Sequence, residues 1–155
     1  MEPPPVDQFV QAFTRAFAAD DPGVASKHVE RANVEIVADM FRNLGRGDLD
    51  AFMATTTDDV ELEIRAPAEY PWIRHASGRQ AFQDAVVHNF GTLSDQRPEV
   101  LGLVAQGNSV VLFGRDSGRL RASGAPYHAH FVYEFVLRGG KVSHVRELAA
   151  ASGLA

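Results

Sequence analysis

Asp116, Tyr133 and Glu147 are the side chains of this sequence best suited to proton-transfer chemistry, each set among alternating apolar residues in the C-terminal half. A carboxyl group walled in by aliphatic and aromatic neighbours holds its proton to higher pH and becomes an acid or base near neutrality. A phenol beside it can polarise a carbonyl. Whether such groups meet is a question of strand parity, because cross-strand partners in an antiparallel pair share a face.

Gly107-Asn108, Ser123-Gly124 and Gly139-Gly140 each lie between apolar runs and predict hairpins joining strands over 98–106, 109–121, 127–138 and 141–149. A two-residue turn at Gly107-Asn108 sets Leu103 opposite Leu112, Leu101 opposite Gly114 and Glu99 opposite Asp116. A two-residue turn at Ser123-Gly124 sets Leu112 opposite Phe135, Gly114 opposite Tyr133 and Asp116 opposite Phe131. One face then carries Leu101, Leu103, Val110, Leu112, Phe131, Tyr133, Phe135 and Leu137, with Asp116 among them. The other carries Arg115, Ser117, Arg119, His128, His130, Val132, Glu134 and Val136. Glu99 could share a proton with Asp116; equally, Asp116 could sit at an open rim, solvated or paired with Arg97. The last strand forks: a plain hairpin turns His144 and Arg146 inward beside Tyr133, whereas a β-bulge after Val142 turns Val145 and Glu147 inward.

The elements that must position these groups follow from periodicity. Val6, Phe9, Val10, Phe13 and Phe17 make an amphipathic helix over 6–20, closed by Asp21-Pro22-Gly23. A second helix runs from about Ala25 to Leu44 and stops at Gly45-Arg46-Gly47, and Asp48 caps a short third helix. Val60 to Arg65 alternates as a half-buried strand, and a fourth helix covers Arg79 to Phe90. Between them lies a proline-bearing loop, Ala66 to Ala76, holding Tyr70, Trp72 and His75. Trp72 there reads as a packing plug or as a lid with His75 as a mobile acid–base group. Helices followed by a meander predict an α+β fold with helices on one sheet face.

Composition narrows the chemistry. The chain has 155 residues, 20 acidic against 15 basic, for a net charge of −5. That balance opposes a nucleic-acid surface. Without cysteine there is neither a thiol nucleophile nor a thiolate metal site. No apolar run is long enough for a membrane span and Met1-Glu2-Pro3-Pro4-Pro5 does not open a signal peptide, so a soluble, cytoplasmic protein is expected. A phosphate-binding glycine loop and a serine elbow are both missing. His128 and His130 share a strand face, but no third ligand stands with them, so no metal and no cofactor are expected.

Several segments in order resemble the SnoaL-like branch of the nuclear transport factor 2-like superfamily. They are Leu44-Gly45-Arg46-Gly47-Asp48-Leu49-Asp50, Asp58-Asp59-Val60-Glu61-Leu62, Ser77-Gly78-Arg79-Gln80-Ala81-Phe82, Ser123-Gly124-Ala125-Pro126-Tyr127 and Gly139-Gly140-Lys141-Val142. The resemblance covers about residues 33–149. It implies a cone-shaped domain over 29–150, a curved antiparallel sheet with helices on its concave face around one deep pocket, preceded by a helical extension over 1–28. It also implies the β-bulge of the last strand, and so Glu147 rather than His144 inside, with His144 as the fallback.

The family's known chemistries fit unevenly. Where ketosteroid isomerase carries its base and donors, this sequence has Met40, Ile64 and Tyr133, so that triad is missing. The inward arginine of the epoxide hydrolases is missing too, since Arg115 faces outward. A polyketide-cyclase-like reaction asks only for an inward acid or base and an apolar pocket. The expectation is therefore a cofactor-independent isomerase, cyclase or hydrolase for a small apolar carbonyl or epoxide compound. Asp116 would act as base, Tyr133 as carbonyl donor and Glu147 as second acid, with Met40, Ile64, Trp72, Leu112, Phe131, Phe135 and His144 around the substrate. The alternative is a non-catalytic binding or assembly module. A homodimer through the outer sheet face, where Val132 and Val136 form an apolar strip, is expected in either case.

Overall fold

The computed structural model of the protein describes residues 28–151. The helix expected over 6–20, and nearly all of the extension 1–28, lie outside them. Helix α1 (His28–Gly45) buries Val34, Val37, Met40, Phe41 and Leu44, which recur every three or four residues and so form one face. Gly47, at φ 72°, ends that segment, and Asp48 caps α2 (Leu49–Ala54) by accepting the Ala51 amide at 3.1 Å. Strand β1 (Thr56–Arg65) begins earlier than its alternation predicted, because Thr56 and Thr57 are buried polar residues that break the pattern. Part of the expected 66–76 loop is strand: β2 (His75–Ser77) pairs with β1, Glu63 opposite His75. Helix α3 (Arg79–Gly91) buries Phe82 and Ala85.

The remaining strands are β3 (Leu93–Ser94), β4 (Glu99–Gln106), β5 (Ser109–Leu120), β6 (Pro126–Arg138) and β7 (Lys141–Ala151). The sheet order is β2-β1-β7-β6-β5, with β3 and β4 both pairing with β5. The sheet is mixed rather than wholly antiparallel, since β1 runs parallel to β7, with Ile64 opposite Glu147. The chain reaches β7 only after completing the meander, so its direction beside β1 is set by the count of hairpins. Apolar residues of α1, α2 and α3 pack against the inward side chains of β1, β5, β6 and β7 in one core, Phe41 edge-on to Phe135 at 5.8 Å and Phe52 stacked on Phe82 at 5.7 Å.

Three irregularities decide which side chains face that core. In β4, Val100 stands opposite Gly114 and Gly102 opposite Phe113, so Leu101 is extra; it is exposed, and Glu99 pairs with Arg115 instead of Asp116. The β5–β6 turn is longer than expected: Leu120 donates to the Ala125 carbonyl at 2.9 Å, leaving residues 121–124 as the turn. Leu112 therefore faces Tyr133 and Gly114 faces Phe131. A shift of two residues preserves parity, and the predicted face survives a wrong register. In β7, Leu137 pairs with Val142 and Val136 with His144, so Ser143 is the bulged residue.

Candidate active site

Inside the curve of the sheet is a hollow lined mostly by apolar and aromatic side chains, and Asp116, Tyr133 and Glu147 all line it. Strand β5 delivers Asp116 by parity, opposite Ala129, and its carboxyl group is only 4% exposed. Burial pushes its pKa up to about 6, against the hydrogen bond that Gln96 donates. The Arg97 amide donates to the Ser117 carbonyl at 2.8 Å, and the rim pairing of its exposed guanidinium with Asp116 does not form. Nor does Glu99 share a proton with Asp116: it holds Arg115 at 2.8 Å on the outer face.

Glu147 enters the hollow because the Ser143 bulge inverts the parity of the strand beyond it, setting Glu147 opposite Tyr133. Enclosure raises its pKa to about 7; the Tyr133 hydroxyl, donating a hydrogen bond, works against this, and the Asp116 charge adds to it. Burial holds the Tyr133 phenol protonated far above its ordinary range, and the neighbouring Glu147 charge reinforces this. Tyr127, buried at the same hollow, is raised first by burial and then by Asp116 and Glu147. Two carboxyl groups near neutrality, with two neutral phenols, form an arrangement able to take a proton at one point and deliver one at another.

Of the residues expected around a substrate, Met40, Ile64, Trp72, Phe131 and Phe135 line the hollow. Leu112 and His144 do not. Leu112 is fully enclosed in the core, with no surface left for a ligand. His144 lies on the outer side, its Nε2 3.7 Å from Glu61 and 3.9 Å from Glu63, because the bulge that admits Glu147 turns it outward. His75 is exposed beside Glu63 on β2 and takes no part in the hollow. Trp72 is held rather than loose: its indole N–H donates to Thr92 Oγ1 at 3.0 Å, and its ring packs against Tyr70 and Tyr127.

Sequence reasoning missed Gln96 and Asn89. Gln96 is 2% exposed and donates from Nε2 to Asp116 Oδ2 at 2.8 Å. Asn89 lines the hollow and clasps the Ile73 backbone, accepting from its amide at 2.8 Å and donating to its carbonyl at 3.0 Å. Neither lies in a periodic run that points to the interior: Gln96 falls in a loop and Asn89 in the last turns of α3. His128 and His130 are exposed on the outer face, as expected. Among the described residues, Glu61, Glu63 and His144 are the three whose ligand atoms come together closely enough for a cation, but Arg146 already engages Glu63 at 3.2 Å.

The chain belongs to the SnoaL-like domain family, which it matches over residues 37–145. It is similar to a solved NTF2-like protein from Burkholderia xenovorans LB400, at 28% identity over 77% of this chain and 90% of that one, with a TM-score of 0.67. It is also similar to a putative SnoaL-like polyketide cyclase from Jannaschia sp. CCS1, at 21% identity over 79% and 88% of the two chains, TM-score 0.64. A putative isomerase from Bacillus subtilis matches at 19% identity over 77% and 86%, TM-score 0.56. The last two likenesses are likenesses of fold. A search of curated proteins finds no match. No helix among the described residues is long and apolar enough to cross a membrane.

Proposed function

We propose that this chain is a cofactor-independent acid–base enzyme, an isomerase, cyclase or hydrolase acting on a small, largely apolar carbonyl or epoxide compound. The observation that carries this reading is the placement of Asp116 and Glu147 on one apolar hollow whose described lining includes no Lys, Arg or His. Without a cation nearby, both carboxyl groups keep the raised pKa that burial gives them. Near pH 7 Asp116 is mostly ionised and takes a proton from the substrate. Glu147 is about half protonated, and with the Tyr133 hydroxyl it supplies a proton to the oxygen on which charge develops. The similarity to a putative polyketide cyclase and a putative isomerase agrees with such chemistry.

The test is turnover of small carbonyl and epoxide compounds by the wild type and by Asp116→Asn. The substitution should lower turnover of any substrate found by roughly 10²–10⁴-fold, the usual worth of a positioned acid or base. Unchanged turnover would overturn the assignment. A compound that binds the hollow and is recovered unchanged would favour the binding-module reading.

The functional unit is proposed to be a homodimer. Phe113, Val132 and Leu148 are exposed and stand in register across β5, β6 and β7, Phe113 opposite Val132 and Val132 opposite Leu148. Such a stripe on the convex face suits a second copy of the same surface.

A further inference from the structure

The outer face of β1 and β7 carries a cluster that the hollow does not use. Glu61 and Glu63 stand two residues apart on β1 and so project from the same side. Strand β7 runs parallel beside them, with His144 opposite Glu61 and Arg146 opposite Glu63. The Ser143 bulge that turns Glu147 inward is what delivers His144 to this pair. His144 Nε2 lies 3.7 Å from Glu61 Oε2 and 3.9 Å from Glu63 Oε1. One ligand atom from each of the three residues falls within 4.8 Å of the others. The nitrogen is enclosed and has no hydrogen-bond partner among the described residues, and its two distances show that it faces both carboxylates.

That spacing is too wide for a hydrogen bond and suits a shared ion. An imidazolium donating to either carboxylate would close to about 2.7–2.9 Å. Atoms bound to one ion at about 2.1 Å stand roughly 3–4 Å apart. The remaining carboxylate oxygens are held from outside the cluster. Ser77 Oγ donates to Glu61 Oε1 at 3.4 Å, and Arg146 Nε donates to Glu63 Oε2 at 3.2 Å. Arg146 thus takes the oxygen other than the one nearest His144, and it orients Glu63 without filling the space between the three groups. It is also shared with Glu134 at 2.7 Å, and Glu61 has no ion-pair partner but His144 among the described residues. Negative charge is therefore in excess where the three side chains converge. We propose that Glu61, Glu63 and His144 form a binding site for a divalent transition-metal ion, Zn²⁺ by its ligand chemistry, which ties the first strand of the sheet to the last. An imidazole nitrogen with two carboxylate oxygens is a set that zinc accepts, whereas calcium and magnesium take oxygen ligands. Three protein ligands leave a position for water.

The experiment titrates the full chain, freed of metal with EDTA, with Zn²⁺ at pH 7.5 by calorimetry, and with Ca²⁺ and Mg²⁺ for comparison. The imidazole nitrogen resonances are followed by NMR in parallel. Wild type should bind Zn²⁺ in preference to the other two ions and shift the His144 Nε2 resonance before those of His128 and His130. His144→Ala and Glu61→Gln should each weaken binding by at least the roughly 10- to 100-fold that losing even a supporting partner of a ligand costs. A double variant, His128→Ala with His130→Ala, should bind as wild type does. Binding lost in that double variant instead, Ca²⁺ or Mg²⁺ bound as tightly as Zn²⁺, or an unmoved His144 resonance would each overturn the proposal. Should a single variant fail to fold, the wild-type ion preference and the His144 resonance decide. None of the three ligands lines the hollow, so this test stands or falls apart from the enzymatic reading.

Discussion

Tyr133 stands directly opposite Glu147 across the β6–β7 ladder and donates its hydroxyl to that carboxylate. Ser143 creates the relationship, because without the extra residue the ladder that pairs Arg138 with Lys141 would continue to set Arg146 opposite Tyr133. A guanidinium would then face the hollow in place of a carboxyl group, and Asp116 would be drawn down in pKa instead of held up. One bulged residue therefore decides the sign of the charge at the centre of the site.

Removing the phenol should move the titration of Glu147. The Tyr133 hydroxyl favours the ionised form, so Tyr133→Phe should raise the Glu147 midpoint above about 7. If Asp116 must be ionised and Glu147 protonated, wild-type activity is confined to a narrow bell between about 6 and 7. The variant should carry the alkaline limb of that bell upward while lowering its height. Carboxyl-carbon NMR of Glu147 reads the midpoint without needing a substrate. A midpoint that does not move would remove Tyr133 from the proton-handling unit.

Stability should fall as pH rises through the same range. Asp116 and Glu147 both have folded-state pKa values above their unfolded ones, so the folded protein binds protons more tightly than the unfolded chain. Their contribution is fully present below about pH 4 and is lost as pH passes about 6 and then about 7. Each loss is of order 3 kcal/mol. Asp59, held low mainly by Arg138, acts oppositely and only in more acid solution. Urea unfolding at pH 4.5, 6 and 8 should show the decline, and Asp116→Asn with Glu147→Gln should flatten it.

Two glycines should respond oppositely to alanine. Gly118→Ala drives a Cβ to 2.6 Å from the Ser94 carbonyl oxygen, so either β5 or the segment carrying Gln96 must shift. A loss of about 1–3 kcal/mol is expected. Gly91→Ala, at the end of α3 and with nothing within 4 Å of the added carbon, should be neutral or stabilise by up to about 1 kcal/mol. Thermal melting of the two variants distinguishes crowding from a general effect of losing glycine.

Charge on the convex stripe should abolish self-association. Leu148 is 54% exposed and adjoins Val132 in register, so Leu148→Lys places an ammonium group at the middle of the proposed contact while leaving the hollow intact. Sedimentation should find a dimer for wild type and a monomer for the variant, each with an unchanged melting profile at low concentration. A wild type that remains monomeric at about 100 μM would dispose of this interface.

Much of this architecture was legible in the residues themselves. The helix spacing of Val37, Met40, Phe41 and Leu44, the alternation in β5 and β6, and the paired glycines at 139 and 140, with φ of 58° and 77°, are local properties that the chain carries wherever it folds. Parity placed Asp116 and Tyr133 inward even though the β5–β6 register differs by two residues from the simplest turn. Glu147 was reachable only through resemblance, since a bulge leaves no mark in an alternating pattern when Ser143 and His144 are both tolerable on either side.

What the tertiary structure decided is whatever depends on two distant segments meeting. Glu99 and Leu101 lie outside because one residue of β4 is left unpaired, and His144 lies outside because one residue of β7 is. Gln96 is in the site because Gly118, far along the chain, leaves room for its loop. Leu112 is core rather than pocket wall because the helices close over it. Period and turn chemistry are written residue by residue, so they can be read from a string. Bulges, close approaches and loop placement arise from the fit between segments, and only the folded chain brings those segments together.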